Sequence, residues 1–335
     1  MFTDLKLSGS LTMEGGQPDM RQMIRVYYSF TDSLGETEEN CLGTFFITCS
    51  SPTYESYKLV SKLDCFSTLY PLSTSFLSTP KTFFQGENPM SIIRSILLPY
   101  NLADEETLDM LDTGYRLSNP HTFDAGTSNL EIINYMFDVC GYGSAIPNAY
   151  GKVSPLADST VPPTPFIFKD NETSIIYPQV NYETNFYDVP NFASLFYSGE
   201  DEAIWATAKN VDPASDVSIP SIGYEKSYYK EVNELAGDTT QDRINNLKAT
   251  ARACLIDNSR QVNYCTVKHP YLPLGINYNC NVQLSQEKDI FKGKITSMSI
   301  DLTPGCPTTT KIRRYAARSF DIITDGGWLI KKEDE

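Results

Sequence analysis

The sequence predicts a β-rich α+β protein, and three observations support this fold class. Tyrosine and phenylalanine, which are enriched in strands, occur 21 and 17 times among 335 residues. Runs that alternate apolar and polar residues outnumber runs with helical spacing. These runs follow the order β, then α+β, then β with one intervening helix. A chain of this length forms one large domain or two to three smaller ones, and it buries roughly 75% of its unfolded surface without needing a disulfide or a metal.

Residues 1–80 are predicted to form antiparallel strands. The alternation of residues 57–66 places Leu63 on one face and Val60 on the other. A break is expected at residues 50–54, where Pro52 interrupts the pattern. Strands are predicted at residues 5–13, 23–30, 42–48, 57–66 and 66–76, with a turn at 14–19 and an acidic loop at 31–40. Short strands at this spacing are typical of a sandwich or a small barrel.

Residues 81–160 are predicted to form a small α+β module. Asn88 is a favourable N-cap, and Pro89 occupies the first helical turn, where proline is tolerated. Ser128 and Glu131 have the spacing of a capping box. The predicted elements are a helix after residue 88 that ends before Pro99, a helix after residue 128 that ends at Gly141, and a strand over 150–155.

The second half of the chain is predicted to return to β structure. Four prolines within residues 158–178 predict a linker or an extended crossing. A helix begins at residues 239–242, with Ile244, Leu247, Ala251 and Leu255 on one side of a polar surface. Strands are predicted at residues 180–186, 193–198, 203–208, 262–268, 278–284 and 291–302, and residues 326–335 are predicted to be a short tail.

The formal charge of −15 makes anionic partners such as nucleic acid or acidic lipid unfavourable at long range. Salt screens this repulsion beyond about 8–10 Å, so a local basic site is not excluded. The main basic cluster comprises Lys311, Arg313, Arg314 and Arg318, and it is predicted to be a solvated strand face or a protein contact.

The eight cysteines favour reduced and mostly buried thiols. Their spacing does not match a zinc knuckle or a redox pair, although an even number also permits four disulfides. The first residues lack the basic start and apolar core of a signal peptide, so synthesis and assembly in a cytoplasm are expected. The sequence contains no apolar run of 18 residues, so no membrane-spanning segment is predicted.

The sequence does not predict a catalytic, cofactor-binding or metal-binding site. His121 and His269 are far apart, lack partners at metal-ligand spacing and are predicted to be structural. Residues 141–145 fall one residue short of a nucleophile-elbow motif and follow a helix instead of a strand. Acidic runs at residues 36–39 and 104–106 are predicted to be solvated loops. Because glycosidase carboxylates leave no readable motif, catalysis is not excluded by this absence.

The serial order of these segments resembles the baseplate hub proteins of tailed bacteriophages and contractile injection systems, including the N-terminal part of siphophage tail-associated proteins. The matching segments include the Gly43-Thr44-Phe45 strand, the strand that contains Asp64, and the helix opening at Asn88. The other segments that carry the resemblance are residues 7–11 with Arg21, 127–142, 189–191, 240–255, 262–270 and 290–302. The resemblance covers most of residues 5–303.

The resemblance implies two β-barrels similar to tail-tube subunits, with an inserted small α+β domain and an extra helix. The implied divisions are residues 1–80 as the first barrel, 81–160 as the inserted domain, 161–235 as a linker and the start of the second barrel, 236–260 as the helix, 261–320 as closing strands, and 321–335 as a C-terminal tail.

The resemblance also implies a structural role without enzymatic activity. A homotrimer would present six barrels, adapt a six-fold tail tube to a three-fold spike or fibre, and surround the exit channel for DNA, which passes without specific binding. The implied neighbours are a distal-tail or tube protein, a spike, fibre or receptor-binding protein, and the tape-measure protein, all at the tail tip of a virion. The alternatives are another tail-tip ring protein, a cell-wall glycosidase and a carbohydrate-binding sandwich.

Overall fold

The computed structural model describes residues 8–14, 19, 23–31, 34–55, 57–156, 165–171, 175–184, 186, 189–199, 202–232, 235, 237, 239–259, 263–287, 289–314 and 321–330. The chain divides into two compact units, which we call unit 1 (Met1–Ser159) and unit 2 (Thr160–Glu335). Strands dominate both, which confirms the β-rich α+β class. The finer division into six segments remains a prediction.

Unit 1 begins with a four-stranded antiparallel sheet, which we call the N-terminal sheet. Its strands are β1 (Ser8–Glu14), β2 (Met23–Thr31), β3 (Thr37–Glu55) and β4 (Lys58–Ser67), in the order β1-β4-β3-β2. Its small core contains Ile47, Leu63 and Cys65. Val60 is also buried, so the predicted placement of this residue on the wet face is wrong.

Strand β3 is longer than the sequence predicts, and the expected break at residues 50–54 is wrong. Pro52 lies inside β3, opposite Ser61 of β4. Among the described residues, β2 pairs with β3 only as far as Phe46, so Pro52 lies beyond the described pairing on that side. Proline is tolerated in a strand where its nitrogen does not face a ladder hydrogen bond.

Two other predictions for residues 31–76 are also corrected. The expected acidic loop is shorter than predicted, because Glu38 and Glu39 belong to β3 and pair with Phe30 and Ser29. The expected fifth strand is instead a short helix, α1 (Tyr70–Thr74), with a proline in its first turn. Proline presets the helical φ there and has no amide hydrogen that would need a partner.

The rest of unit 1 consists of helices and short strands built around one apolar core. Its elements are β5 (Lys81–Phe83), α2 (Pro89–Leu97), a 3-10 turn (Leu98–Tyr100), α3 (Glu105–Leu111), β6 (His121–Phe123), α4 (Asn129–Val139), β7 (Ala145–Pro147) and β8 (Val153–Pro155). Asn88 caps α2 by accepting a 2.8 Å hydrogen bond from the Met90 amide. Ser128 and Glu131 form the predicted capping box of α4. Both helix starts are therefore confirmed.

Unit 2 contains a six-stranded sheet. Its strands are β9 (Phe166–Lys169), β10 (Val180–Thr184), β14 (Asn263–His269), β15 (Asn279–Gln283), β16 (Phe291–Ile300) and β17 (Thr308–Arg314), in the order β10-β14-β17-β16-β15-β9. Strand β9 pairs in parallel with β15, so the predicted proline-rich linker contains a strand. One face of this sheet packs into a core that includes Phe168, Val267 and Ile312.

Unit 2 also contains a four-stranded sheet covered on one face by a helix. Its strands are β11 (Phe192–Ser198), β12 (Glu202–Asn210), β13 (Ser227–Val232) and β18 (Ile322–Ile330), in the order β13-β11-β12-β18. The helices are the short α5 (Ile219–Ile222) and α6 (Thr240–Ser259). The predicted apolar side of α6 is confirmed, because Ile244, Leu247, Ala251 and Leu255 are buried against β11 and β12.

Strand β18 corrects the prediction that the residues from Gly326 onward are a short tail. All nine of its residues pair with β12, from Ile322 opposite Asn210 to Ile330 opposite Glu202. Residues 331–335 lie outside the described part of the chain. The strands predicted at residues 262–268, 278–284 and 291–302 are confirmed, and β17 contains Lys311, Arg313 and Arg314 of the basic cluster that is predicted to be a solvated strand face or a protein contact.

Candidate functional site

The face of the four-stranded sheet opposite α6 is rich in aromatic and aliphatic side chains. We call this surface the aromatic face, and its large residues are Phe192, Phe196, Trp205, Tyr229, Ile323 and Leu329. Tyr229, Ile323 and Leu329 are 65%, 60% and 63% exposed, and the other three are half-buried. Exposed apolar side chains grouped on one face of a sheet are typical of a protein–protein contact.

Two neighbouring glycines in β18 determine how the aromatic face is built. A Cβ atom on Gly327 would lie 3.2 Å from the indole ring of Trp205, so glycine allows this ring to lie against the strand. A Cβ atom on Gly326 would lie 2.7 Å from the Trp205 carbonyl oxygen and 3.0 Å from Lys248 Cε of α6. The two glycines therefore permit close packing on both sides of β18.

Unit 1 exposes a second apolar surface, which we call the hairpin surface. It comprises Tyr54 and Tyr57 at the end of the β3–β4 hairpin, and Met23, Tyr27 and Phe30 of the edge strand β2 are exposed elsewhere on the same sheet. Tyr57 is fully exposed and has a φ of +71°. A left-handed backbone is uncommon for an aromatic residue and costs roughly 1–2 kcal/mol. Such strain at an exposed tip favours a binding role for this tyrosine over a folding role.

The two histidines occupy structural positions. His269 is fully buried in unit 2, with Nε2 2.8 Å from Thr310 Oγ1 and Nδ1 2.6 Å from the Pro270 carbonyl oxygen. The carbonyl can only accept, so Nδ1 carries the hydrogen and the Thr310 hydroxyl donates to Nε2. Burial lowers the pKa of His269 and keeps it neutral. His121 of unit 1 stacks on Tyr135, with ring centroids 4.2 Å apart.

The eight cysteines, all within the described part of the chain, are thiols. Three are buried, four are intermediate and Cys49 is exposed, so the expectation of mostly buried cysteines is met only in part. Burial raises the pKa of Cys140 to about 11 and that of Cys265 and Cys280 to about 12. These thiols therefore stay protonated near neutral pH, which makes them poor nucleophiles.

The acidic run at residues 104–106 has a structural role that differs from the predicted solvated loop. Asp104 is the N-cap of α3, and Glu105 and Glu106 fill its first turn, where the helix dipole favours negative charge. Arg94 of α2 forms ion pairs with Glu105 and Asp109. These carboxylates therefore start α3 and hold it against α2.

A cleft of about 280 Å³ lies at one end of the six-stranded sheet, where the main basic cluster is located. The Tyr182 hydroxyl donates a 2.9 Å hydrogen bond to Glu287, and Lys311 pairs with Glu183 at 2.7 Å. The guanidinium of Arg314 lies 5.4 Å from the ring centroid of Phe291. Arg318, the last member of the predicted basic cluster, lies outside the described residues.

Among the described residues, no three or more His, Cys, Asp or Glu side chains are arranged to hold a metal ion. No helix in the described ranges is both long and apolar enough to cross a membrane.

The fold is similar to that of known tail proteins, although no protein-family model and no curated protein matches the sequence. The tail protein from Neisseria meningitidis MC58 aligns with a TM-score of 0.62 and 11% identity, over 92% of this chain and 87% of that one. The 43 kDa tail protein of prophage MuSo2 from Shewanella oneidensis aligns with a TM-score of 0.59 and 9% identity, over 92% and 97%.

The chain has a tail-protein fold. The resemblance inferred from the order of the segments is therefore confirmed at the level of the fold. At 9–11% identity, the similarity shows a shared fold. It does not assign roles to individual residues of this chain. The two apolar surfaces and strand β18 are the features of this tail-protein fold that the sequence did not reveal.

Proposed function

We propose that this chain is the central structural hub of a phage tail tip or baseplate. Three copies form a ring that adapts the six-fold tail tube to a three-fold spike or fibre and surrounds the DNA exit channel. The tail-protein fold, which extends over 92% of the chain in both alignments, supports a structural role in a tail. The proposed location is the virion tail tip, with assembly in the host cytoplasm.

The observation that carries the proposal is the presence of an exposed apolar surface on each unit. A cyclic ring needs two different surfaces on every protomer, because its contacts run head to tail. The hairpin surface of unit 1 and the aromatic face of unit 2 meet this need. We place the aromatic face of one protomer against the hairpin surface of the next. Contacts of such obligate rings usually bury more than about 2,000 Å².

The proposal assigns one tube-protein-like barrel to each β region, so that three chains present six barrels. We assign the N-terminal sheet to the first barrel and the two sheets of unit 2 to the second. Closing a sheet into a barrel removes the edge strands on which unwanted pairing would otherwise occur. A distal-tail or tube protein would bind above the ring, and a spike, fibre or receptor-binding protein below it. The tape-measure protein and DNA would pass through the centre.

Native mass spectrometry of the purified protein tests this stoichiometry. The proposal predicts a complex of about 113 kDa, three times the chain mass of 37.6 kDa. A six-fold complex would instead support a distal-tail or tube-type ring, and a monomer at micromolar concentration would contradict the hub. In a parallel assay, clearing of a peptidoglycan suspension by the protein would overturn the purely structural interpretation.

A further inference from the structure

The cleft of the six-stranded sheet lies where this sheet curls. The ring of Tyr182, on the edge strand β10, and the ring of Phe291, at the start of β16, have centroids 5.7 Å apart. Strands β14 and β17 lie between β10 and β16 in the sheet, so about 14 Å would separate these two strands if the sheet were flat. The contact between the rings therefore indicates that the sheet curves around the cleft. The mouth of a curled sheet is a common position for ligand sites.

Aromatic rings and carboxylates share the walls of the cleft. The rings are Tyr182, Tyr264 and Phe291, and the carboxylates are Glu183, Glu287 and Asp289. Tyr182 is 45% exposed, and all three carboxylates are exposed. The cleft volume of about 280 Å³ is close to the lower end of the range for small-molecule sites, which begins at about 300 Å³. The cleft is therefore of a size for one small ring-shaped unit of a ligand.

Hydrogen bonds within the cleft fix the positions of its polar groups. The Tyr182 hydroxyl donates to Glu287, and the Thr184 hydroxyl donates a 2.9 Å hydrogen bond to the side-chain oxygen of Asn263. Partial burial and the bond to Glu287 raise the pKa of Tyr182, so its hydroxyl keeps the proton that it donates. Because a carboxylate accepts several hydrogen bonds, Glu287 can accept a further one from a ligand.

The charges at the cleft disfavour an anionic ligand and a metal ion. Among the described residues, the three carboxylates stand against two cations, Arg314 in the wall and Lys311 beside Glu183. An anion would therefore meet an excess of negative charge. The carboxylates do not form a metal site, because no three such side chains in the described ranges are arranged around one point.

An organic cation and a purely apolar ligand also suit the cleft poorly. The ammonium group of Lys311 lies 4.3 Å from the ring centroid of Tyr264, and the guanidinium of Arg314 lies 5.4 Å from that of Phe291. These are distances of cation–π contacts, so a ligand cation would have to displace the chain's own cations. An apolar ligand would bury carboxylates without giving them hydrogen bonds, which is costly. A neutral ligand that carries hydroxyl groups avoids both problems.

We propose that the cleft binds one sugar unit of a neutral saccharide. The C–H groups of the sugar ring pack against the exposed part of the Tyr182 ring, and its hydroxyls donate to Glu287 and Asp289. A hydroxyl group also accepts, so the same sugar satisfies the Arg314 guanidinium. Because the cleft is open and offers one exposed ring, binding at each site is weak. The contacts of this cleft carry the inference, which stands whether or not the protein forms the proposed ring.

Saturation-transfer difference NMR on the full chain tests this inference, because the method detects weak ligands. The neutral probes are oligosaccharides of glucose, galactose, mannose, rhamnose and N-acetylglucosamine. A sialylated trisaccharide and chitosan oligomers serve as the anionic and cationic probes. We expect at least one neutral probe to bind more tightly than both charged probes. Absence of binding by every neutral probe, or tighter binding of either charged probe, would overturn the inference.

Two variants place the bound saccharide in the cleft. Tyr182→Ala removes the exposed ring and Asp289→Ala removes an exposed acceptor, and each should weaken the tightest neutral probe about three- to tenfold. The matched controls are Tyr224→Ala and Asp216→Ala, which change exposed residues of unit 2 outside the cleft. Both controls should leave the affinity unchanged.

The Asp289→Ala variant covers the case in which Tyr182→Ala does not fold, which circular dichroism checks. Asp289 is exposed, so its replacement should leave the fold intact. Unchanged affinity of Asp289→Ala would place the saccharide elsewhere and would overturn the assignment. A control variant that lost as much affinity as the cleft variants would overturn it as well.

Discussion

The hydroxyl group of Thr68 donates a 2.7 Å hydrogen bond to the carbonyl oxygen of Gly151, across 83 residues of sequence. Thr68 is fully buried directly after β4, and Gly151 lies in the turn before β8. The Thr44 hydroxyl makes a similar bond of 2.9 Å to the Ala149 carbonyl oxygen. These contacts join the N-terminal sheet to the α+β module, so unit 1 behaves as one body.

Replacement of Gly151 by alanine should destabilise unit 1. Its φ of +82° is unfavourable for alanine, and the new Cβ atom would lie 2.7 Å from Thr68 Cγ2. We expect a loss of about 2–4 kcal/mol, the sum of backbone strain and overpacking. Gly114→Ala is the matched control, because Gly114 has a φ of +75° but has no atom within 4 Å of the Cβ position.

Gly114→Ala should therefore lose only the stability that corresponds to backbone strain, about 1–2 kcal/mol. Hydrogen exchange of the α4 and β8 amides measures both losses as local opening free energies. Equal losses for the two variants would show that the contact between Thr68 and Gly151 is not tightly packed.

Replacement of Tyr57 should change the stability of the hairpin and the self-association of the protein in opposite directions. Tyr57→Gly relieves a left-handed backbone and should raise the stability of the β3–β4 hairpin by up to ~1 kcal/mol. The same change removes an exposed aromatic ring from the hairpin surface and should weaken self-association. Tyr54→Gly is the control for the backbone effect, because glycine in a strand interior should lower hairpin stability instead.

Hydrogen exchange of β3 and β4 amides in dilute protein reports the stability change, and sedimentation velocity reports association. If Tyr57→Gly associated as strongly as the unmodified chain, Tyr57 would not be part of the proposed contact.

Unit 2 should lose stability as the pH falls below about 6.5, the ordinary pKa of histidine. Burial lowers the pKa of His269 in the folded state, so the unfolded chain takes up a proton in this range that the folded chain does not. The contribution of neutral His269 is therefore fully present above pH 6.5 and is lost as the pH falls toward its folded pKa.

Tryptophan fluorescence can follow this effect in unit 2, because the two tryptophans, Trp205 and Trp328, both belong to it. His269→Gln should be less stable at pH 7.5 but should lose less stability between pH 7.5 and 5.5 than the unmodified chain. His121→Gln, in unit 1, should leave the fluorescence-detected pH dependence unchanged. If the stability of His269→Gln fell with pH in parallel with that of the unmodified chain, His269 would not be the group responsible for the pH dependence.

A charge on the aromatic face should disrupt the ring without unfolding the chain. Leu329→Lys places an ammonium group at a position that is 63% exposed in the isolated chain and is buried in the proposed contact. Burying an unpaired charge is costly, so the trimer fraction should fall at least about tenfold. Leu98→Lys, at a 71% exposed position of unit 1 outside both apolar surfaces, should leave assembly unchanged. Size-exclusion chromatography with light scattering measures both.

Local signals in the sequence predicted the helix starts correctly. Asn88 caps α2, and the Ser128–Glu131 pair caps α4, as the residue types and spacing indicate. These features depend on contacts within one turn of chain, so a single sequence contains the necessary information. The apolar side of α6 was predictable for the same reason.

Contacts between distant segments were harder to predict. Gly326 and Gly327 have the composition of a flexible tail, yet they allow β18 to pack between α6 and Trp205, which lies about 120 residues earlier in the sequence. A run of like charge such as residues 104–106 is usually solvated, but aspartate is also a favoured N-cap residue, and Asp104 accepts a hydrogen bond from the Thr107 backbone amide.

Electron cryo-microscopy of the assembled protein tests the central claim most directly. The account predicts a closed ring of three chains with six barrels, in which the aromatic face of each protomer packs against the hairpin surface of its neighbour. A ring of six chains, a single barrel in each chain, or a ring in which Leu329 and Tyr57 both remain exposed to solvent would contradict it.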